Sequence, residues 1–109
     1  MLTNAEITGW QRRTGSDAQG RPTFAGAALA RPARCLRARL NAAQVRLLAT
    51  VGKEADETVL HPVDRDGAPD VDAGDRVQLD SAATWHEVVR RERIDRGAVS
   101  HRTLFVKEL

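Results

Sequence analysis

A chain of 109 residues, 41% hydrophobic and 29% charged, is of a size to bury one core and has the composition of an ordinary globular domain. Its four aromatic residues (Trp10, Phe24, Trp85 and Phe105) leave a thin core to Val, Leu, Ile and Ala, and its single cysteine, Cys35, excludes an internal disulfide. No apolar run approaches the roughly eighteen residues of a membrane span, and MLTNAEITGW lacks the basic-then-apolar pattern of a secretory signal, so a cytosolic domain without membrane contact is expected.

AEITGWQRR (5–13) reads as a first strand. In the following TGSDAQGRP, Gly15, Gly20 and Pro22 break regular structure while Ser16 and Asp17 offer local side-chain hydrogen bonds, so a loop is expected. The alanine-rich stretch between Pro22 and Pro32 is weakly specified, and Gly26 weakens any helix there. ARCLRARL (33–40) alternates small or apolar residues with arginine and predicts a strand whose Arg34, Arg37 and Arg39 face solvent. The period then changes. Asn41 is a candidate N-cap for a short helix over 42–51, with Leu47, Leu48 and Val51 at helical spacing and Gly52 as the stop; the alternative is a loop with helical propensity.

TVLHPV (58–63) is a short strand that Pro62 ends or confines to an edge. DRDGAPDVDAGD (64–75) is a long acidic turn region, after which RVQLD alternates with Val77 and Leu79 on one face. WHEVVRRERI (85–94) is ambiguous. Ser81 could cap a helix with Trp85, Val88 and Val89 on one face, whereas a strand needs a bulge at Val88–Val89; the local pattern leans to the helix. RTLFVKEL (102–109), apolar on both faces, predicts a strand. Short strands separated by turns, without internal repeat, point to a small barrel or sandwich forming a single domain over 1–109.

The net charge of +2 conceals a split: residues 1–53 carry nine Lys/Arg against Glu6 and Asp17, and residues 54–109 carry eight against thirteen Asp/Glu. Such asymmetry suits either a nucleic-acid face or opposite surfaces that meet between neighbouring copies, and composition does not separate the two. Alternating Arg34, Arg37 and Arg39 are the best basic face, but no aromatic side chain interleaves them as a stacking platform would require.

Catalytic and metal sites are not expected. His61, His86 and His101 lie on separate segments without metal-ligand spacing and read as exposed strand-end residues. His86 and Glu87 point to opposite faces of a strand, or about a hundred degrees apart on a helix, so they form no acid–base pair. Asp64, Asp66, Asp70, Asp72 and Asp75 suggest calcium, yet a calcium loop starting at Asp64 needs glycine where Pro69 stands and glutamate where Asp75 stands. Cys35, with no histidine or acid beside it in sequence, reads as a small buried hydrophobe. No cofactor is expected.

AGDRVQLDSAATWHEVVRRERIDRGAVSHRTLFVKEL resembles the head-completion proteins of long-tailed bacteriophages, also called head-closure, stopper or head–tail joining proteins. The likeness rests on Gly74-Asp75 leading into Val77 and Leu79, Trp85 with Val88 and Val89, the turn at Gly97, and His101 leading into Leu104, Phe105 and Val106. TGSDAQGRPTF also looks like the Asp-x-x-Gly loop that follows the first strand in many of them. The resemblance implies a mainly all-β fold, a small antiparallel β-barrel with a long loop or short helix inserted at 41–57. It implies a strand over 85–94, with Val77, Leu79, Trp85 and Val89 in the core. It also implies a non-enzymatic role: a ring, often of twelve copies, at the portal side of a filled capsid, closing it and offering a platform to the tail. The expected partners are further copies of the chain, a portal or adaptor protein, tail proteins and, non-specifically, packaged DNA, in the virion neck and in the host cytoplasm during assembly. Asn41, Gln44, Arg46, Lys53 and Glu54 would belong to the loop that projects into the channel or contacts a neighbour. The alternatives are a neighbouring neck component, such as a tail terminator or adaptor, and a small nucleic-acid-binding barrel.

Overall fold

A computed structural model describes residues 3–26, 28–62, 69–96 and 99–109. The elements in chain order are β1 (Ala5–Ser16), β2 (Pro22–Ala25), β3 (Ala28–Arg39), α1 (Ala42–Thr50), β4 (Glu57–Pro62), β5 (Arg76–Leu79), β6 (Trp85–Arg96) and β7 (Val99–Glu108). Neighbouring strands pair antiparallel in the order β1-β3-β4-β7-β6-β5, and β5 returns to β1, so six strands close a barrel. The seventh, β2, stands outside that ring and pairs only with the far half of β1. The fold is therefore the expected small antiparallel barrel, and its helix falls inside 41–57.

The pleat builds the interior. Cross-strand partners in an antiparallel pair point to the same face, so Ile7 carries Ala33 and Leu79 inward with it, and Val59 carries Leu104. These side chains join Ala5, Cys35, Val77, Val88 and Val106 in one buried cluster, and Val71 from the β4–β5 connection joins them. Where one face must keep pointing inward around a tight curve, the register slips by a residue, between Ile7 and Gly9 and between Val88 and Arg90; a further slip between Arg13 and Gly15 lies in the β1–β2 pairing outside the ring. Pro32 lies where the β1–β3 register slips, a place with no ladder donor to miss.

Residues 85–96 form a strand, not a helix, with the bulge at the position the alternation requires. The bulge corrects the expected core. Val88 faces inward opposite Val106, while Val89 is only half-buried; Trp85, opposite Gln78, lies on the outer face over Gly9. A Cβ on Gly9 would sit 2.9 Å from the Trp85 ring, so the missing side chain is what lets the indole lie down. The β5–β6 connection turns on Asp80 and Ser81, both with positive φ (55° and 57°), and is closed by Ala82 N–H donating to the Leu79 carbonyl at 3.0 Å. That is the type I′ geometry whose twist matches a two-strand hairpin, with Asp80 at a position aspartate tolerates well. Ser81 is a turn residue and caps nothing.

Strand direction sorts the connections between two ends of the barrel. At one end lie the β3–β4 excursion carrying α1, the β5–β6 turn and both chain termini. At the other lie the β1–β2 hairpin, the end of β4, the start of β5, and the facing ends of β6 and β7. Past Gln11, β1 has no barrel partner and continues as a two-stranded ribbon with β2, where its side chains change from alternately buried to exposed. Within the stretch weakly specified in sequence, residues 22–25 become β2 and residues 28–32 the start of β3.

Candidate functional site

At the α1 end, the arginines of β3 part company. Arg34 pairs opposite Glu6 on the outer face, whereas Arg37, opposite the buried Val59, and Arg39, opposite Glu57, have the inward parity. Arg37 closes the barrel: its Nε and Nη2 donate to the two Glu57 carboxylate oxygens at 2.9 and 2.8 Å, and its Nη1 donates to Asp80 Oδ2 at 3.0 Å. This fork-to-fork pairing holds the Glu57 carboxyl below the usual carboxylate range and pushes the Arg37 guanidinium up. Arg37 and Arg39 therefore share a parity that Arg34 does not, and Arg37 is spent on carboxylates, which corrects the single basic face expected from their spacing. Beside them, burial and then the Asp80 charge push the Cys35 thiol up to about 12, so this cysteine packs and does not react.

The excursion between β3 and β4 starts with a reciprocal cap. Asn41 Oδ1 accepts from Gln44 N–H at 2.8 Å and Gln44 Oε1 accepts from Asn41 N–H at 2.9 Å, so both side chains are engaged at the helix start. Lys53 Nζ donates to the Val89 carbonyl at 2.8 Å, tying the return of the excursion to the bulge of β6. Glu54 lies 3.6 Å from Lys107 and is otherwise in solvent, as is Arg46 on the helix. Gly52 has φ 69°, the left-handed stop expected of it. Only Leu48 of α1 is buried, while Val45, Leu47 and Val51 are 52%, 38% and 51% exposed.

The Gly74-Asp75 turn is a structural knot. Asp75 is buried, and its carboxylate accepts from Trp10 Nε1 at 3.0 Å, Arg13 N–H at 2.9 Å and Asp72 N–H at 3.0 Å. Gly74 N–H donates to the Val88 carbonyl and Val88 N–H to the Asp75 carbonyl, at 2.8 and 2.9 Å, so this turn occupies the β6 bulge. Asp75 is therefore no calcium ligand. Asp70 lies 3.3 Å from Arg91 and 3.0 Å from Arg102, and Asp72 lies 3.6 Å from Arg91. Asp64 and Asp66, the other members of the acidic run, lie outside the described residues, as does Gly97. Among the described residues no group of His, Cys, Asp or Glu is placed to hold a metal ion.

The histidines correct their expectation. His61 and His86 are buried on the inner face, His61 opposite Arg102 and His86 opposite Val77; only His101, opposite Pro62, is half-exposed. Burial lowers the His61 imidazole to about 4. Phe105 is buried on the outer parity of β7, outside the interior cluster. What sequence reading missed is the arginine pair at the hairpin end. Arg102 donates to the Pro69 carbonyl at 3.1 Å and Arg91 to the Val71 carbonyl at 3.3 Å, strapping the connection across that end of the barrel.

The chain thus belongs structurally to the small closed antiparallel β-barrels, with a projecting hairpin at one end and a capped helix at the other. No protein-family model matches it, and no curated protein matches it significantly.

Proposed function

We propose that the chain is a structural neck protein of a tailed phage, prophage or related particle, assembling as a ring at the portal side of a filled capsid, closing it and presenting a surface to the tail. The observation that carries this reading is the β3–β4 excursion. It places a self-capped helix at one end of the barrel and leaves Val45, Leu47 and, at the helix C-cap, Val51 exposed, apolar surface for a protein partner to cover. Support also comes from the sequence resemblance over 73–109, whose hairpin, closing strand and turn order suit a six-stranded barrel. A monomeric isolated chain is compatible with assembly on a portal or adaptor template, so its mass alone does not decide the matter. Gene order does: neighbours encoding portal, capsid and tail proteins are expected, and a metabolic operon would overturn the reading. The barrel that binds nucleic acid through Arg34, Arg37 and Arg39 is disfavoured by the Arg37–Glu57–Asp80 closure.

A further inference from the structure

The hairpin end carries a second surface, built mainly from arginines of the basic first half of the chain. Arg12, Arg13 and Arg21 stand on the β1–β2 ribbon, Arg76 pairs opposite Gln11 at its root, and Arg31 lies on β3 where the β1–β3 register slips; all but Arg76 are exposed. The only acid on the ribbon, Asp17, is occupied by the amides of Gln19 and Arg21, each donating at 2.9 Å. The Arg21 guanidinium lies 3.8 Å from it and stays 74% exposed. Among the described residues no carboxylate comes within ion-pair reach of Arg12, Arg13, Arg31 or Arg76. Asp70 and Asp72 form the opposite wall of a groove of about 530 Å³ beside Arg12 and Arg13, but their charge is met by Arg91 and Arg102.

Two of these arginines are held in place. The Arg12 guanidinium lies 4.9 Å from the Trp10 ring centre and that of Arg76 lies 4.1 Å from the Phe24 ring. Stacking covers one face of the guanidinium and leaves its edge N–H groups pointing outward, the arrangement that suits phosphate oxygens. The contrast with Arg37, whose donors are all turned onto carboxylates, is direct.

We propose that this end of the barrel contacts the phosphate backbone of duplex nucleic acid, with Arg12, Arg13 and Arg21 engaging phosphates and Arg31 and Arg76 flanking them. A two-stranded ribbon is an element that the major groove, about 12 Å wide, admits. Charge without a stacking platform or base-reading side chains makes the contact independent of base sequence. The proposal stands without the neck reading, since it rests on the ribbon alone.

The test is fluorescence anisotropy of a labelled duplex of arbitrary sequence, titrated with the full chain from low to physiological salt. The parent chain binds at low salt and weakens as salt rises. Arg12→Gln/Arg13→Gln/Arg21→Gln binds at least about tenfold more weakly and flattens the log–log salt slope by about 2 to 3, from about 0.9 per phosphate contact. The same three positions changed to lysine keep the slope, and Arg34→Gln/Arg39→Gln, on other parts of the barrel, changes nothing. If circular dichroism shows the triple variant unfolded, Arg21→Gln alone must still lower the slope by about 1. No binding by the parent at low salt overturns the proposal, as does a folded triple variant that binds like the parent. So does a triple variant that loses self-association in sedimentation while keeping duplex affinity, which would make the ribbon's partner a second copy.

Discussion

Asp75 shows how much one side chain can hold. Three donors, two from β1 and one from the β4–β5 connection, converge on its buried carboxylate, and removing it leaves all three unsatisfied. Asp75→Ala is therefore expected to cost about 3 kcal/mol or more, at about 1 kcal/mol or more per orphaned donor, read as a lower urea midpoint. A loss below about 1 kcal/mol would contradict the knot. His61 sets an acid limit. Its pKa is 6.5 when unfolded and about 4 when folded, so the native state resists its protonation. Above pH 6.5 there is no penalty; the loss grows as pH falls from 6.5 towards 4 and saturates below, at about 3 kcal/mol from about 1.4 kcal/mol per pH unit. His61→Leu should lack this component, so parent and variant stabilities measured by urea at pH 7 and pH 4 should converge in difference only at the acid end by that amount. An unchanged difference would show that His61 does not titrate as a buried group. At this scale some turn residues were legible: Asn41 as the N-cap and Gly52 as the helix stop follow from local chemistry, whereas the reciprocal bond from Gln44 is seen only in the structure. The histidines were legible only through their neighbours. His61 has the parity of Val59, and once Val59 is inside, the pleat takes His61 with it.

Elements of the chain differ in how they are held, and α1 is the loosest. Nine residues are too few for a stable isolated helix, and only Leu48 is buried, so the capping box supplies an unusual share of its stability. Asn41→Ala should cost α1 about 1 kcal/mol and lower amide protection across 42–50, while the barrel's thermal midpoint stays nearly unchanged. A fall in barrel stability equal to that in α1 would show the excursion to be packed as part of the barrel. For β6, local periodicity misleads. Val88 and Val89 sit at helical spacing from Trp85, and only the pairing with β5 and β7 across a bulge makes the segment a strand. The same bulge decides that Val88, and not Val89, faces inward, because a slip of one residue exchanges the two faces. That displacement is a tertiary fact: the Gly74-Asp75 turn occupies the gap it creates, and the periodicity of β6 alone does not report it.

The whole molecule redistributes what the sequence separates. Charge divides between halves of the chain, +7 and −5, but antiparallel closure brings Arg12, Arg13 and Arg21 to the same end as Arg91 and Arg102 and leaves Glu6 and Glu54 at the other. Fold class was readable because short alternating strands between strong turns have few other solutions. Which arginines are free was not, since Arg37 is neutralised by Glu57, twenty residues on, and by Asp80, forty-three residues on. The resulting barrel has a basic ribbon at one end and an apolar-studded helix at the other, two ends that suit a subunit set between a DNA-filled head and further protein. The most direct test is electron microscopy of particles made by a producing strain from which this gene has been deleted. The neck reading predicts free tails and unjoined heads that have lost their DNA, with normal tailed particles restored by supplying the gene in trans. Normal tailed particles in the deletion strain would contradict it.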